Sequence, residues 1–166
     1  MNSRSFFSIQ IIIIQTKTLY SLGHEVLAIH KNEEKIQNIA EQVTHAVEAD
    51  CTDENVLKSL GIRNFDVFVI SIVPDIQSSI MATLMCKELG VQYVLCKAQN
   101  ELQAKVLYKI GADRVVFPER DMGIRVAHNL VSQNVLEYIE LDPHYSIAEI
   151  VAPSKWIGKT IGQLDL

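Results

Sequence analysis

Short apolar runs recur along this chain, and most of them follow a leucine or isoleucine joined to glycine. The pairs are Leu22-Gly23, Leu60-Gly61, Leu89-Gly90 and Ile110-Gly111. A glycine just past a helix supplies the left-handed residue that closes its last turn, so each pair predicts a helix end. The runs that follow are Glu25 to Ile29, Phe65 to Ser71, Tyr93 to Lys97 and Arg114 to Phe117, and a further run, His45 to Ala49, lies between the first two. Val, Ile and Phe dominate them and polar alternation is weak. Strands buried on both faces of a parallel sheet read this way. The greasiest stretch, Phe6 to Ile14, predicts a buried first strand.

Between the runs the apolar spacing is helical. Ile36, Ile39, Ala40 and Val43 follow Asn32, a good N-cap. Val56, Leu57 and Leu60 follow Thr52 and Asp53. Ile76, Ile80 and Leu84, with Met81 and Met85, mark the apolar face of a helix starting near Asp75. Val106, Leu107 and Ile110 follow Asn100, with Gln103 placed for a capping box. Strand and helix therefore alternate from about residue 9 to 117. That alternation predicts an α/β fold with a Rossmann-like, doubly wound parallel sheet.

The pattern changes after Pro118. Glu119 to Ser132 predicts one more helix, with Met122, Val126 and Leu130 on one face. These apolar positions lie beyond the regular sheet, where a monomer has little to cover them, and they predict at least a dimer. Two β-prone runs, Val135 to Leu141 and Ser146 to Val151, are joined by Asp142-Pro143-His144 and predict a hairpin. The expected organisation is a Rossmann-like domain over 1–134, a β extension or linker over 135–155, and over 156–166 the start of a further domain belonging to a longer protein.

Composition and charge then narrow the class. A chain of 166 residues suffices for one domain with a full core. The net charge of -5 argues against general affinity for nucleic acid, which needs a basic surface to displace condensed counterions. Phe6 to Ile14 is half of the roughly 20 apolar residues that a membrane-spanning helix takes. With only Arg4 before it and no small-residue cleavage site after it, it does not read as a signal peptide. The cysteines are Cys51, Cys86 and Cys96, with no Cys-x-x-Cys pair. They read as free, mostly buried thiols of a reducing cytosol.

Open parallel sheets bind ligands at the carboxyl ends of their strands. A dinucleotide site would show Gly-x-Gly-x-x-Gly after the first strand, because the pyrophosphate packs on bare backbone. The corresponding stretch, Ile9 to Lys17, has no glycine, and the first glycine of the chain is Gly23. The second strand should end in an acidic residue that holds the ribose hydroxyls. Here it ends in His30, either a weaker hydroxyl ligand or a plain loop histidine. The next strand ends in Asp50-Cys51-Thr52, on the expected ligand edge. Asp50 can accept from an adenine amino group, and capping by Thr52 or Asp53 explains part of the same motif. Lys97, Glu119 and Asp121 are charged groups near that edge, either solvated or part of an ion site. No nucleophile elbow and no metal-ligand spacing of histidines emerges.

Several longer matches go beyond these generic signals. Gly23-His24-Glu25-Val26-Leu27-Ala28-Ile29, Ala49-Asp50-Cys51-Thr52, Leu60-Gly61-Ile62, Lys97-Ala98-Gln99-Asn100, Ile110-Gly111-Ala112-Asp113-Arg114 and Pro118-Glu119-Arg120-Asp121-Met122-Gly123 occur in order. With them the chain resembles the RCK/KTN (TrkA-N) domain of Ktr and Trk potassium-uptake regulators, most of all the Ktr peripheral subunit, over about residues 19 to 166. The resemblance implies a cytoplasmic regulator on the inner face of the cell membrane. It implies dimers formed through the helix from Glu119, assembled into an octameric ring on a potassium-translocating membrane subunit. It also implies gating by ATP, ADP or NAD(H). Asp50 and Thr52 would lie near the adenine, and Glu119 would bind a divalent cation by the phosphates.

The chain departs from that family at its start. Ungapped alignment from Gly23 puts Phe7, Ile9 and Ile12 at the three glycine positions, Gln10 at a phosphate-binding arginine and His30 at the acidic ribose ligand. The expectation is a non-enzymatic gating subunit whose cofactor site comprises His30, Asp50, Cys51, Thr52 and Lys97, with weakened affinity for ATP and NADH. The rival expectations are the cofactor domain of an NAD-dependent oxidoreductase and a ligand-free assembly module.

Overall fold

The computed structural model describes residues 13–72, 75–131, 135–142 and 145–164. A first helix, α1, covers residues 13–21. It is followed by β1 (Leu27–His30), α2 (Glu33–Gln37), β2 (His45–Glu48), α3 (Glu54–Ser59), β3 (Val67–Ile70), α4 (Ile76–Glu88), β4 (Tyr93–Lys97), α5 (Glu101–Lys109) and β5 (Arg114–Val116). Then come α6 (Pro118–Val131) and the strands β6 (Val135–Asp142) and β7 (Tyr145–Ile150). The chain divides into two compact units, 1–118 and 119–166.

In the first unit β1 pairs with β2, and β3, β4 and β5 pair in that order, all in parallel. These are two parallel strand groups of a Rossmann-like fold, with strand and helix alternating as the sequence predicts. The strand expected at Phe6 to Ile14 lies outside the described residues up to Ile12. Its last two residues, Ile13 and Ile14, are helical, and Ile14 is exposed. An unbroken isoleucine run carries no period that separates strand from helix.

Glycine and the caps set the helix ends. Gly23, Gly61, Gly90 and Gly111 all have positive φ. After α4 the amide of Val91 donates to the carbonyl of Cys86, and after α5 Ala112 donates to Leu107. Each bond closes a turn that a Cβ in the left-handed region would strain. Asn32, Asp53, Asp75 and Asn100 each accept from amides of the following first turn. Gln103 reaches back to the amide of Gln99. The helix expected through Val43 breaks after Gln37 into a separate 3-10 turn, Ala40–Gln42, although Ile36, Ile39 and Val43 are all buried as their spacing predicts.

The core gathers Leu57, Ile62, Ile70, Val94, Cys96, Leu107 and Val115. α4 packs on β3, β4 and α5, and α5 packs on β5. The buried side of α4 consists of Ser79, Ala82, Thr83, Met85 and Cys86. The expected apolar face is therefore only partly the buried one: Met85 is buried and Ile80 packs against the core, while Ile76, Met81 and Leu84 are exposed. Small residues let the helix approach the sheet closely. Strand β3 is likewise not buried on both faces, since Val67 is 50% exposed and Val69 41% exposed.

At the amino ends of the strands, Asp113 staples the sheet. Its Oδ2 accepts from the Val94 amide at 2.7 Å and from Lys87 Nζ at 2.9 Å. Lys87 also donates to the carbonyls of Val91 and Gln92. The motif Ile110-Gly111-Ala112-Asp113 is thus a structural clamp between α4, β4 and β5. In the second unit α6 is followed by the antiparallel hairpin β6–β7, as predicted. The expected link Pro143-His144 and the helix end at Ser132 lie outside the described residues.

Candidate functional site

The carboxyl ends of β1 and β2 lie side by side, because His30 pairs with Glu48 at the last register position. Two residues past β2, Asp50 turns back on its own loop. Its Oδ1 accepts from the Thr52 amide at 2.8 Å and from the Thr52 hydroxyl at 2.6 Å. Its Oδ2 meets Lys31 Nζ at 2.9 Å, across from the end of β1. The Thr52 hydroxyl and amide, with Lys31, hold the Asp50 carboxyl below the usual carboxylate range. The same ion pair raises Lys31. Thr52 therefore orients Asp50, while the capping of α3 falls to Asp53.

His30 closes the other side. Its Nδ1 accepts from the Asn32 amide at 2.9 Å, so the neutral ring carries its proton on Nε2. Partial burial and the Lys35 ammonium one turn into α2 both lower its pKa. The ring is a neutral donor where the Rossmann pattern has an anionic acceptor. Lys31 and Lys35 are charged neighbours of this edge that the sequence pattern did not single out. Their only sequence signal is position, directly after a strand and in the first turn of the next helix.

The other candidates separate. Cys51 is half-buried and packs against the core, and burial pushes its thiol up. Lys97 stands at the carboxyl end of β4 in the other strand group and is only 3% exposed, which rules out the solvated reading of that charge. Glu119 and Asp121 are exposed in the first turn of α6, in the second unit. Among the described residues no group of three or more His, Cys, Asp or Glu is placed to hold a metal ion. No helix among them is long and apolar enough to cross a membrane.

A parallel α/β arrangement with Asp50, Thr52 and His30 at the carboxyl ends of its strands defines a Rossmann-like class of domain. Residues 15–118 match the TrkA-N domain, and the chain belongs to that family. It is 51% identical over 150 residues to the Ktr system potassium uptake protein C of Bacillus subtilis, covering 90% of this chain and 68% of that protein. Its fold is similar to the NAD(P)-binding domain of an exopolyphosphatase-related protein from Archaeoglobus fulgidus, with a TM-score of 0.62, 21% identity, and coverage of 73% of this chain and 90% of that one. It is also similar to the GsuK channel bound to NAD, with a TM-score of 0.56, 19% identity, and coverage of 66% of this chain and 19% of that one.

Proposed function

We propose that this chain is the regulatory, gating part of a bacterial potassium-uptake system and senses an adenine nucleotide at the ends of β1 and β2. The observation that carries the reading is the 51% identity to a Ktr protein across nine-tenths of the chain. The polar groups there support it: Asp50 is held by Thr52 and paired with Lys31, which directly follows His30 at the end of β1. The role is that of a binding module and not an enzyme, positioned at the cytoplasmic face of the membrane beside a potassium-translocating subunit.

Two exposed apolar surfaces support a homo-oligomer. On α6, Met122, Val126 and Leu130 are exposed, and they form the dimer contact in this reading. On α4, Ile76, Met81 and Leu84 are exposed and give the dimers a second surface through which to close an octameric ring. Glu119 would supply one carboxylate to a divalent cation.

The test is potassium uptake in a transport-deficient bacterial strain that expresses a Ktr membrane subunit with or without the protein containing this chain. Expression should raise uptake at low external potassium, and Asp50→Ala should blunt the response to nucleotide. Uptake that is identical with and without the protein would overturn the proposal.

A further inference from the structure

A ribose diol and a phosphorylated ribose call for opposite chemistry at the end of the second Rossmann strand. The diol offers two hydroxyl protons and suits a carboxylate, whereas a 2′-phosphate offers only acceptors and negative charge, and suits cations. At that position the chain has a donor. The Asn32 amide occupies His30 Nδ1 at 2.9 Å, leaving Nε2–H as the ring's only polar group for a ligand. Two ammonium groups flank it, Lys31 on the next residue and Lys35 on α2. Among the carboxylates around it, Glu33 accepts from Gln37, Asp75 caps α4, and Asp50 holds Thr52 and Lys31, while Glu48 lies beside His30 in the strand register.

Resting on the nucleotide reading above, we infer that His30, Lys31 and Lys35 select a nucleotide carrying a 2′-phosphate on its adenosine ribose. The Lys31–Asp50 pair makes this selection more than a matter of charge. Both partners are about half exposed, at 53% and 43%, and an exposed ion pair is weak enough to exchange. A phosphate dianion draws Lys31 away from Asp50 Oδ2. The carboxylate then has a free acceptor for the adenine amino group, while Thr52 keeps it oriented through Oδ1. A ribose without the phosphate gives Lys31 no reason to move, and the adenine meets a carboxylate that is already satisfied.

Calorimetry on the full chain tests this with NADPH, NADH, adenosine 2′,5′-bisphosphate and adenosine 3′,5′-bisphosphate. NADPH should bind at least about tenfold more tightly than NADH, and the 2′,5′ isomer at least about tenfold more tightly than the 3′,5′ isomer. His30→Asp should reverse the NADPH preference, and Lys35→Met should reduce it, with circular dichroism checking that each variant is folded. Equal affinity for the two bisphosphates, NADH binding as tightly as NADPH, or an unchanged preference in folded His30→Asp would each overturn the inference and leave the nucleotide reading standing. Binding of none of the four probes would overturn both.

Discussion

Single residues in this protein do work that their sequence neighbours do not announce. Asp113 is the clearest case, since one carboxylate oxygen takes both the Val94 amide and the Lys87 ammonium. The Val94 bond and Lys87 hold its pKa below the usual range. A depressed folded-state pKa gives stability that is present above the unfolded value and lost as pH falls through the folded one. Asp113→Asn should therefore cost about 1–2 kcal/mol at neutral pH. Below about pH 4 its stability should fall less steeply than that of the parent. Urea titrations at several pH values would read both, and a parallel pH profile for the two proteins would contradict the assignment. The thiols give a second expectation. Burial raises all three, Cys86 to about 12. A thiol of that pKa is only roughly one part in ten thousand thiolate at pH 8. Cys86 should resist iodoacetamide in the folded protein and react once it is unfolded, as mass spectrometry would show.

At the scale of elements, helix ends follow local rules and helix faces do not. Gly111 ends α5 at φ +104, and a Cβ there would meet the Lys87 side chain at 3.2 Å. Gly111→Ala should lose about 1 kcal/mol or more from backbone strain alone, measurable as a lowered melting temperature. The buried face of α4 behaves differently. Ala82 and Thr83 are fully covered while Ile76 and Met81 are not. Ala82→Leu should destabilise by about 1–3 kcal/mol through overpacking, far more than its slight loss of helix propensity costs. An unchanged unfolding midpoint would show that the helix can move off the sheet. Apolar periodicity alone favours the Ile76, Ile80 and Leu84 stripe. The packed arrangement instead puts small side chains against the strands and leaves larger ones outward, which fits a helix with a second partner.

The molecule as a whole is proposed to act as an assembly, and its two exposed apolar stripes make separable predictions. Val126→Glu on α6 should give monomers in sedimentation experiments, because a charge at a helix-to-helix contact is costly to bury. Leu84→Glu on α4 should leave dimers and prevent larger rings. Loss of dimers in both variants, or in neither, would refute the division of labour. Nucleotide affinity belongs to the same scale. Relative to a domain with an intact glycine loop, ATP and NADH should bind about two orders of magnitude more weakly, since several polar contacts of about 1.5–3 kcal/mol each are missing. Calorimetry on a version carrying Phe7→Gly, Ile9→Gly, Ile12→Gly and His30→Asp should recover the affinity. Low-micromolar NADH binding by the unaltered chain would refute the expected weakness.

The sequence by itself determined the alternation of strand and helix from β1 to β5, the glycine stops, the caps at Asn32, Asp75 and Asn100, and the hairpin after α6. These are short-range matters, fixed by φ sterics, by orphan amides within one turn and by the period of the side chains. It also placed Asp50, Thr52 and His30 on one sheet edge, because parallel topology sends every carboxyl end the same way. Only the tertiary structure decided that Lys31 pairs with Asp50, that Asn32 fixes the tautomer of His30, that Lys97 is buried and that α4 presents its small residues to the sheet. The Lys31–Asp50 pair depends on a neighbour distant in sequence and the packing of α4 on which face turns inward, whereas the His30–Asn32 bond spans two residues and depends on how the loop after β1 folds. An isoleucine run such as Ile11 to Ile14 shows the boundary between the two: with no polar position to set a period, its conformation is chosen by what packs against it.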